Sequence, residues 1–242
     1  MATPLDIQAN GAVLRYDTNV LGVMEPRLFD AAWLQDSQFW RGSAEGRGQA
    51  HFLHFADRDM VLRDFQRGGL VGRIIQDRFV RRGVAYSRAF AEFDLLCAMR
   101  SKSLRVPRPV AARYAPSGLY YRASIITERI AQARTLHAIL CDRALSDDLW
   151  VAVGAAIRTM HDHDVFHSDL NCHNIMIDTD DHVWIIDFDK CGFRKAGEWK
   201  QGNLNRLNRS LRKFAAQDGN LNWNETDWVT LLAGYTDARC QP

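Results

Sequence analysis

The stretch that leaves this chain the fewest options is 167–189, HSDLNCHNIMIDTDDHVWIIDFD. Two short apolar runs, 175–177 and 183–186, flank Asp178, Thr179, Asp180 and Asp181. Apolar runs of this length around polar turn formers predict a strand–turn–strand hairpin. A hairpin returns its ends to one place. Asp169 and Asn174 before the first strand should therefore meet Asp187 after the second. Two carboxylates and an amide are hard oxygen ligands, the donors that Mg²⁺ takes when it also holds phosphate.

In this order, His-x-Asp-x-x-x-x-Asn, a strand and Asp-Phe, the stretch resembles the catalytic core of the protein-kinase-like superfamily. The resemblance implies an α+β fold of two lobes, with an antiparallel-sheet N-lobe and a small, mainly helical C-lobe. It implies ATP and Mg²⁺ as cofactors. Asp169 would accept the proton of an attacking hydroxyl, and Asn174 and Asp187 would hold Mg²⁺ against the ATP phosphates. His167 would brace the loop and Phe188 would pack beneath it.

Upstream, residues 42–48, GSAEGRG, resemble the glycine-rich loop of kinases, in a spacing that departs from G-x-G-x-x-G. Gly46 and Gly48 would let backbone N–H groups approach phosphate. A strand is expected at 51–55 and its partner at 60–63. Arg63 stands where protein kinases carry a phosphate-holding lysine, and Glu92, in a helix expected at 87–100, is its candidate partner. A strand at 120–127 leads to Glu128 and Ile130, where a hinge backbone would bind adenine. That boundary divides the chain into an N-lobe, 1–129, and a C-lobe, 130–242. Residues 106–110, with two prolines, read as a breaker.

Three blocks narrow the resemblance: LRDFQRGGL at 62–70, HSDLNCHN at 167–174 and WIIDFDK at 184–190. Together they resemble the bacterial 3-deoxy-D-manno-octulosonic acid (Kdo) kinases of lipopolysaccharide core assembly. That likeness implies phosphoryl transfer from ATP to the 4-hydroxyl of Kdo on a Kdo-lipid A precursor. The work would be done peripherally, at the cytoplasmic face of the bacterial inner membrane. A lipopolysaccharide heptose kinase, another small-molecule phosphotransferase and a nucleotide-binding pseudokinase are the alternatives. Arg63 favours the last, and the complete set of Asp169, Asn174 and Asp187 opposes it. Ser168, in the place of an activation-loop-reading arginine, and the lack of an Ala-Pro-Glu motif argue against a regulated protein kinase.

Charge agrees with an anionic acceptor. Net charge is only +2, but of 31 basic residues just five are Lys. Arginine suits bidentate binding of phosphate and carboxylate. Basic residues cluster at 63–82 and 194–213. The first cluster is a candidate for the Kdo carboxylate or lipid A phosphates. The second, on a helix expected at 203–216, is a candidate for an anionic membrane surface. No recognisable nucleic-acid module accompanies them, so no nucleic acid is expected. No apolar run is long enough to span a membrane, and the N-terminus lacks the pattern of a secretory signal. Five cysteines without paired spacing suit a reducing compartment. Helices are also expected near 30–39, 135–141, 146–161 and 225–238, and a strand at 12–16. The run His161-Asp162-His163-Asp164 lacks the helical His pair of a zinc site.

Overall fold

The structure, a computed structural model, describes residues 2–44, 50–65, 79–80, 83–219 and 221–237. The chain divides into two compact units. One holds residues 1–101 and 107–129; the other holds 102–106 and 130–242.

Among the described residues, the first unit is an antiparallel sheet with two α-helices. Its elements are β1 (Pro4–Ala9), β2 (Ala12–Asp17), α1 (Ala31–Gln35), β3 (Trp40–Ala44), β4 (Ala50–Phe55) and β5 (Arg58–Asp64). They continue with β6 (Phe79–Val80), α2 (Arg88–Ser101), β7 (Pro109–Ser117) and β8 (Tyr120–Glu128). The strand order is β1-β2-β7-β8-β5-β4-β3, with β6 also pairing with β8. Leu14, Leu53, Met60, Leu62, Val110 and Ile126 are buried together in its core. Helix α2 buries Phe90, Phe93, Leu96 and Met99 at helical spacing. Ser87 caps it, its hydroxyl accepting the Phe90 N–H at 3.3 Å.

Several elements differ from the sequence expectation; α1 stops at Gln35 and does not run on to Phe39. Strand β7 stands in the middle of the sheet where the two prolines read as a breaker. Pro109 opens the strand, and the register shifts between Pro109 and Ala111, so the missing N–H falls at a bulge. Val110, Ala111 and Ala112 are all fully buried, so no polar alternation marks them as a strand. Gly42, Ser43 and Ala44 finish β3 and do not begin a loop. Strand β1 carried no expectation, although Asn10 and Gly11, both at positive φ, form the two-residue turn that joins it to β2.

The second unit is mainly helical. It contains β9 (Arg134–Thr135), α3 (Leu136–Asp142), α4 (Asp147–Asp162), β10 (Val165–Phe166), β11 (Ile175–Ile177), β12 (Val183–Ile185), β13 (Gly192–Phe193), α5 (Trp199–Asp218) and α6 (Glu225–Thr236). Small sheets β12-β11-β9 and β10-β13 fix the loops between the helices. Ser146 caps α4, accepting the Leu149 N–H, and Leu149, Trp150, Val153, Ile157 and Met160 are buried. Helix α6 begins with a capping box of Asn224 and Asp227. It packs on α4 so closely that a Cβ on Gly154 would collide with the Leu231 carbonyl, and one on Gly234 with the Val151 carbonyl. No helix among the described residues is long and apolar enough to cross a membrane.

Candidate active site

The hairpin β11–β12 is registered Ile175 to Ile185 and Ile177 to Val183. Its turn is held by Asp178, whose carboxylate accepts the Asp180 and His182 N–H groups and the Trp184 indole N–H. Burial pushes this carboxyl up, but those hydrogen bonds outweigh it and hold Asp178 below the usual range. At the open end the Ile186 N–H donates to the Asn174 carbonyl at 3.0 Å. The hairpin therefore delivers Asn174 and Asp187 side by side. Asp187 has φ +63°, a left-handed conformation that a non-glycine residue holds at a cost of order 1–3 kcal/mol.

The loop 167–174 is built around His167, which is fully buried. Its Nε2–H donates to the Ile186 carbonyl at 3.0 Å, and its Nδ1 accepts the Asp169 N–H at 3.2 Å. The ring thus ties the Asp169 loop directly to the residue before Asp187. Accepting at Nδ1 requires the neutral ring, and burial pushes its pKa down accordingly. Phe188, also buried, meets the imidazole edge-on at 4.9 Å. The Asp169 carbonyl accepts the side-chain amides of Asn171 and Asn174 at 3.0 and 2.9 Å. Ser168 donates to the Asp189 carbonyl at 2.6 Å. These contacts fix the main chain of Asp169 and leave its carboxylate open, 60% exposed.

Asn174 spends its amide N–H on that carbonyl, and its Oδ1 accepts no hydrogen bond among the described residues. An oriented amide oxygen on Asn174, and a carboxylate on the residue after its backbone partner Ile186, are donors of the kind that a divalent cation takes.

Helix α5 supplies residues that the sequence reading missed. Asn203, Arg206 and Ser210, at i, i+3 and i+7, lie on one face. Asn203 is buried; its Oδ1 accepts the His167 N–H at 3.2 Å and its Nδ2–H donates to the His167 carbonyl at 2.7 Å. Arg206 Nη1 lies 3.2 Å from Asp169 Oδ1. Ser210 Oγ lies 3.3 Å from Cys172 Sγ. Burial pushes the Cys172 thiol up, which marks it as a packing group. The signal was present as a polar stripe within a helix read only for its net charge.

In the first unit, Arg63 on β5 and Glu92 on α2 form a close pair. Arg63 Nη2 lies 2.6 and 2.8 Å from the two Glu92 oxygens, and the Glu92 side chain is 3% exposed. Glu128 ends β8; its Oε1 accepts Arg58 Nη1 at 2.6 Å, and its N–H donates to the Arg108 carbonyl. Ile130 is half-buried, and its backbone makes no hydrogen bond among the described residues. Gly46 and Gly48 lie outside the described residues, as does most of the basic segment 63–82.

A constrained loop that presents one open carboxylate beside an amide–carboxylate pair is suited to positioning a hydroxyl for attack on a phosphate. The model of the lipopolysaccharide kinase (Kdo/WaaP) family matches residues 31–235. A 3-deoxy-D-manno-octulosonic acid kinase of Vibrio vulnificus is 41% identical over 221 residues, covering 91% of this chain and 93% of that protein. Proteins of the same name from Vibrio cholerae and Haemophilus influenzae are 43% and 39% identical, covering 82% and 89% of their own lengths.

Proposed function

The chain belongs to the lipopolysaccharide kinase (Kdo/WaaP) family, and from that membership we propose that it is a 3-deoxy-D-manno-octulosonic acid kinase of lipopolysaccharide core biosynthesis. It transfers the γ-phosphoryl group of ATP to the 4-hydroxyl of Kdo on a Kdo-lipid A precursor. The observation that carries this reading is roughly 40% identity to Kdo kinases over about nine-tenths of both chains.

Asp169 takes the proton from the acceptor hydroxyl as that oxygen bonds to the γ-phosphorus. The bond from phosphorus to the β-phosphate oxygen breaks, and its electron pair leaves with ADP. The fixed main chain around Asp169 holds the carboxylate in place for this, so little reorganisation accompanies the step. Asn174 and Asp187 hold Mg²⁺, which supplies charge neutralisation on the phosphates when bound. Arg63, oriented by Glu92, engages the nucleotide phosphates. The unspent backbone groups of Ile130, next to Glu128, receive the adenine edge.

The enzyme works at the cytoplasmic face of the inner membrane as a peripheral protein. Arg209, Arg212 and Lys213 are exposed on α5 and give it a basic surface towards anionic lipid. Such attraction is screened within about 10 Å at 0.1 M salt. Sedimentation with anionic vesicles should therefore weaken as salt rises, and salt-independent binding would sink this part.

The test of the activity is transfer of label from Mg·ATP to a lipid A precursor bearing Kdo, to the same lipid without Kdo and to a heptosylated form. Label only on the Kdo-terminated lipid is the expected result. A requirement for heptose would move the activity to that sugar.

A further inference from the structure

The loop carrying Asp169 has no cation of its own. Residues 167–174, HSDLNCHN, contain neither Lys nor Arg. Acidic acceptors and transferred phosphoryl groups both call for positive charge beside the reacting oxygen. The tertiary structure brings it from α5, 37 residues downstream, as Arg206 Nη1 at 3.2 Å from Asp169 Oδ1.

Stability does not account for this pair. The Arg206 and Asp169 side chains are 47% and 60% exposed. Ion pairs this open contribute about 0–1 kcal/mol. Nor does Arg206 shape the loop, because the loop's main chain is fixed by His167, Asn171 and Asn174. What the pair does is hold an open guanidinium next to the oxygen that receives the acceptor's proton. Asp169 engages one nitrogen of a planar group with five N–H donors, so a second carboxylate can dock on the same fork.

We infer that Arg206 binds the carboxylate of the acceptor sugar and so selects an acidic sugar over a neutral one. The inference rests on the Kdo kinase reading, because Kdo carries its carboxylate three carbon–carbon bonds from its 4-hydroxyl. With that hydroxyl on Asp169, the carboxylate comes within a few ångströms of the neighbouring guanidinium. Arg209, at i+3 on the exposed side of α5, has no hydrogen-bond or ion-pair partner among the described residues and extends the basic surface away from Asp169.

The experiment compares wild type, Arg206→Lys and Arg206→Ala on two acceptors, Kdo-lipid A precursor and its carboxyl-reduced counterpart, in which –CH₂OH replaces –COO⁻. A charge-assisted hydrogen bond at this site sets the expected loss in Arg206→Ala at roughly 10–100-fold in KM for the Kdo acceptor. KM for ATP should stay unchanged. Carboxyl reduction should cost the wild type a similar factor and cost Arg206→Ala little more. Arg206→Lys should recover part of the loss on the Kdo acceptor alone. Equal losses on both acceptors would assign Arg206 to the transferred phosphoryl group or to the fold and would overturn the inference. Undiminished transfer by Arg206→Ala would overturn it too. If the wild type transfers no phosphate to the Kdo acceptor, the function itself falls, a failure seen before any variant is compared.

Discussion

At the scale of single residues, the chemistry rests on side chains whose surroundings do opposite things. Asp169 has a fixed main chain and an open carboxylate, whereas His167 is sealed. Asp169→Ala should therefore lower turnover by on the order of 10²–10⁴-fold while the fold persists, and single-turnover transfer to the Kdo acceptor reads it directly. An unchanged rate would remove Asp169 from the proton-accepting role. Arg63 poses a different question, since a lysine is the residue expected there. Both Glu92 oxygens converge on one nitrogen, Nη2, so this contact uses the guanidinium as a point donor. An ammonium can replace a point donor where it cannot replace a fork. Arg63→Lys should accordingly keep KM for ATP within about tenfold, and Arg63→Met should lose well over that, since it takes a cation away from the buried Glu92 carboxylate. A collapse in Arg63→Lys equal to that in Arg63→Met would show that the fork itself is required.

At the scale of elements, α5 organises the site without belonging to the recognisable motif. Asn203 joins two histidines. Its Oδ1 accepts from His161 Nε2–H at 3.3 Å as well as from the His167 N–H. Replacing it with leucine strands these buried groups, at a cost of about 1–3 kcal/mol each. Asn203→Leu should lower the urea midpoint and reduce kcat together, and a normal midpoint with normal kcat would end the case for α5 as the brace of the loop. The α4–α6 crossing has a sharper constraint. A methyl on Gly154 would meet the Leu231, Gly234 and Tyr235 backbone first, and backbone does not rotate away. Overpacking of this kind costs about 1–3 kcal/mol or more. Gly154→Ala should be strongly destabilised in denaturant unfolding, whereas an exposed glycine with open space, Gly202, should accept alanine without loss.

At the scale of the whole molecule, buried polar groups set how stability responds to pH. Tyr235 on α6 donates its hydroxyl to His161 Nδ1 on α4; His161 donates to Asn203 on α5, and Asn203 holds His167 in the loop. Burial is the main cause of a His161 pKa near 4, against an ordinary 6.5, and it pushes His167 down as well. A histidine kept neutral by the fold binds fewer protons folded than unfolded. Its contribution is present above about pH 6.5 and is lost as pH falls towards 4. For His161 alone the displacement corresponds to on the order of 3 kcal/mol. Unfolding free energy should fall across that window, and His161→Gln should flatten part of the slope. A profile as steep in His161→Gln as in wild type would place the titration elsewhere.

The amino-acid sequence by itself determined the hairpin and its three polar residues. Residue order, strand length and turn chemistry are local, and two strands joined by five polar residues can close in few ways. It also indicated the Arg63–Glu92 partnership, because the strand and the helix were each legible and each offered one charged residue at the right place. The limits of α2 and α4 followed from apolar spacing and from the caps at Ser87 and Ser146. Strand β7 was hidden because a strand buried on both faces shows no alternation, and Pro109 sits at a bulge that only the neighbouring strand reveals. Tertiary structure alone decided the contacts of Asn203, Arg206 and Ser210 with a loop some 36–38 residues away. A polar stripe on a helix looks the same in sequence whether it faces water or a catalytic loop. Only the packing of α5 against the loop settles which of its polar residues acquire partners.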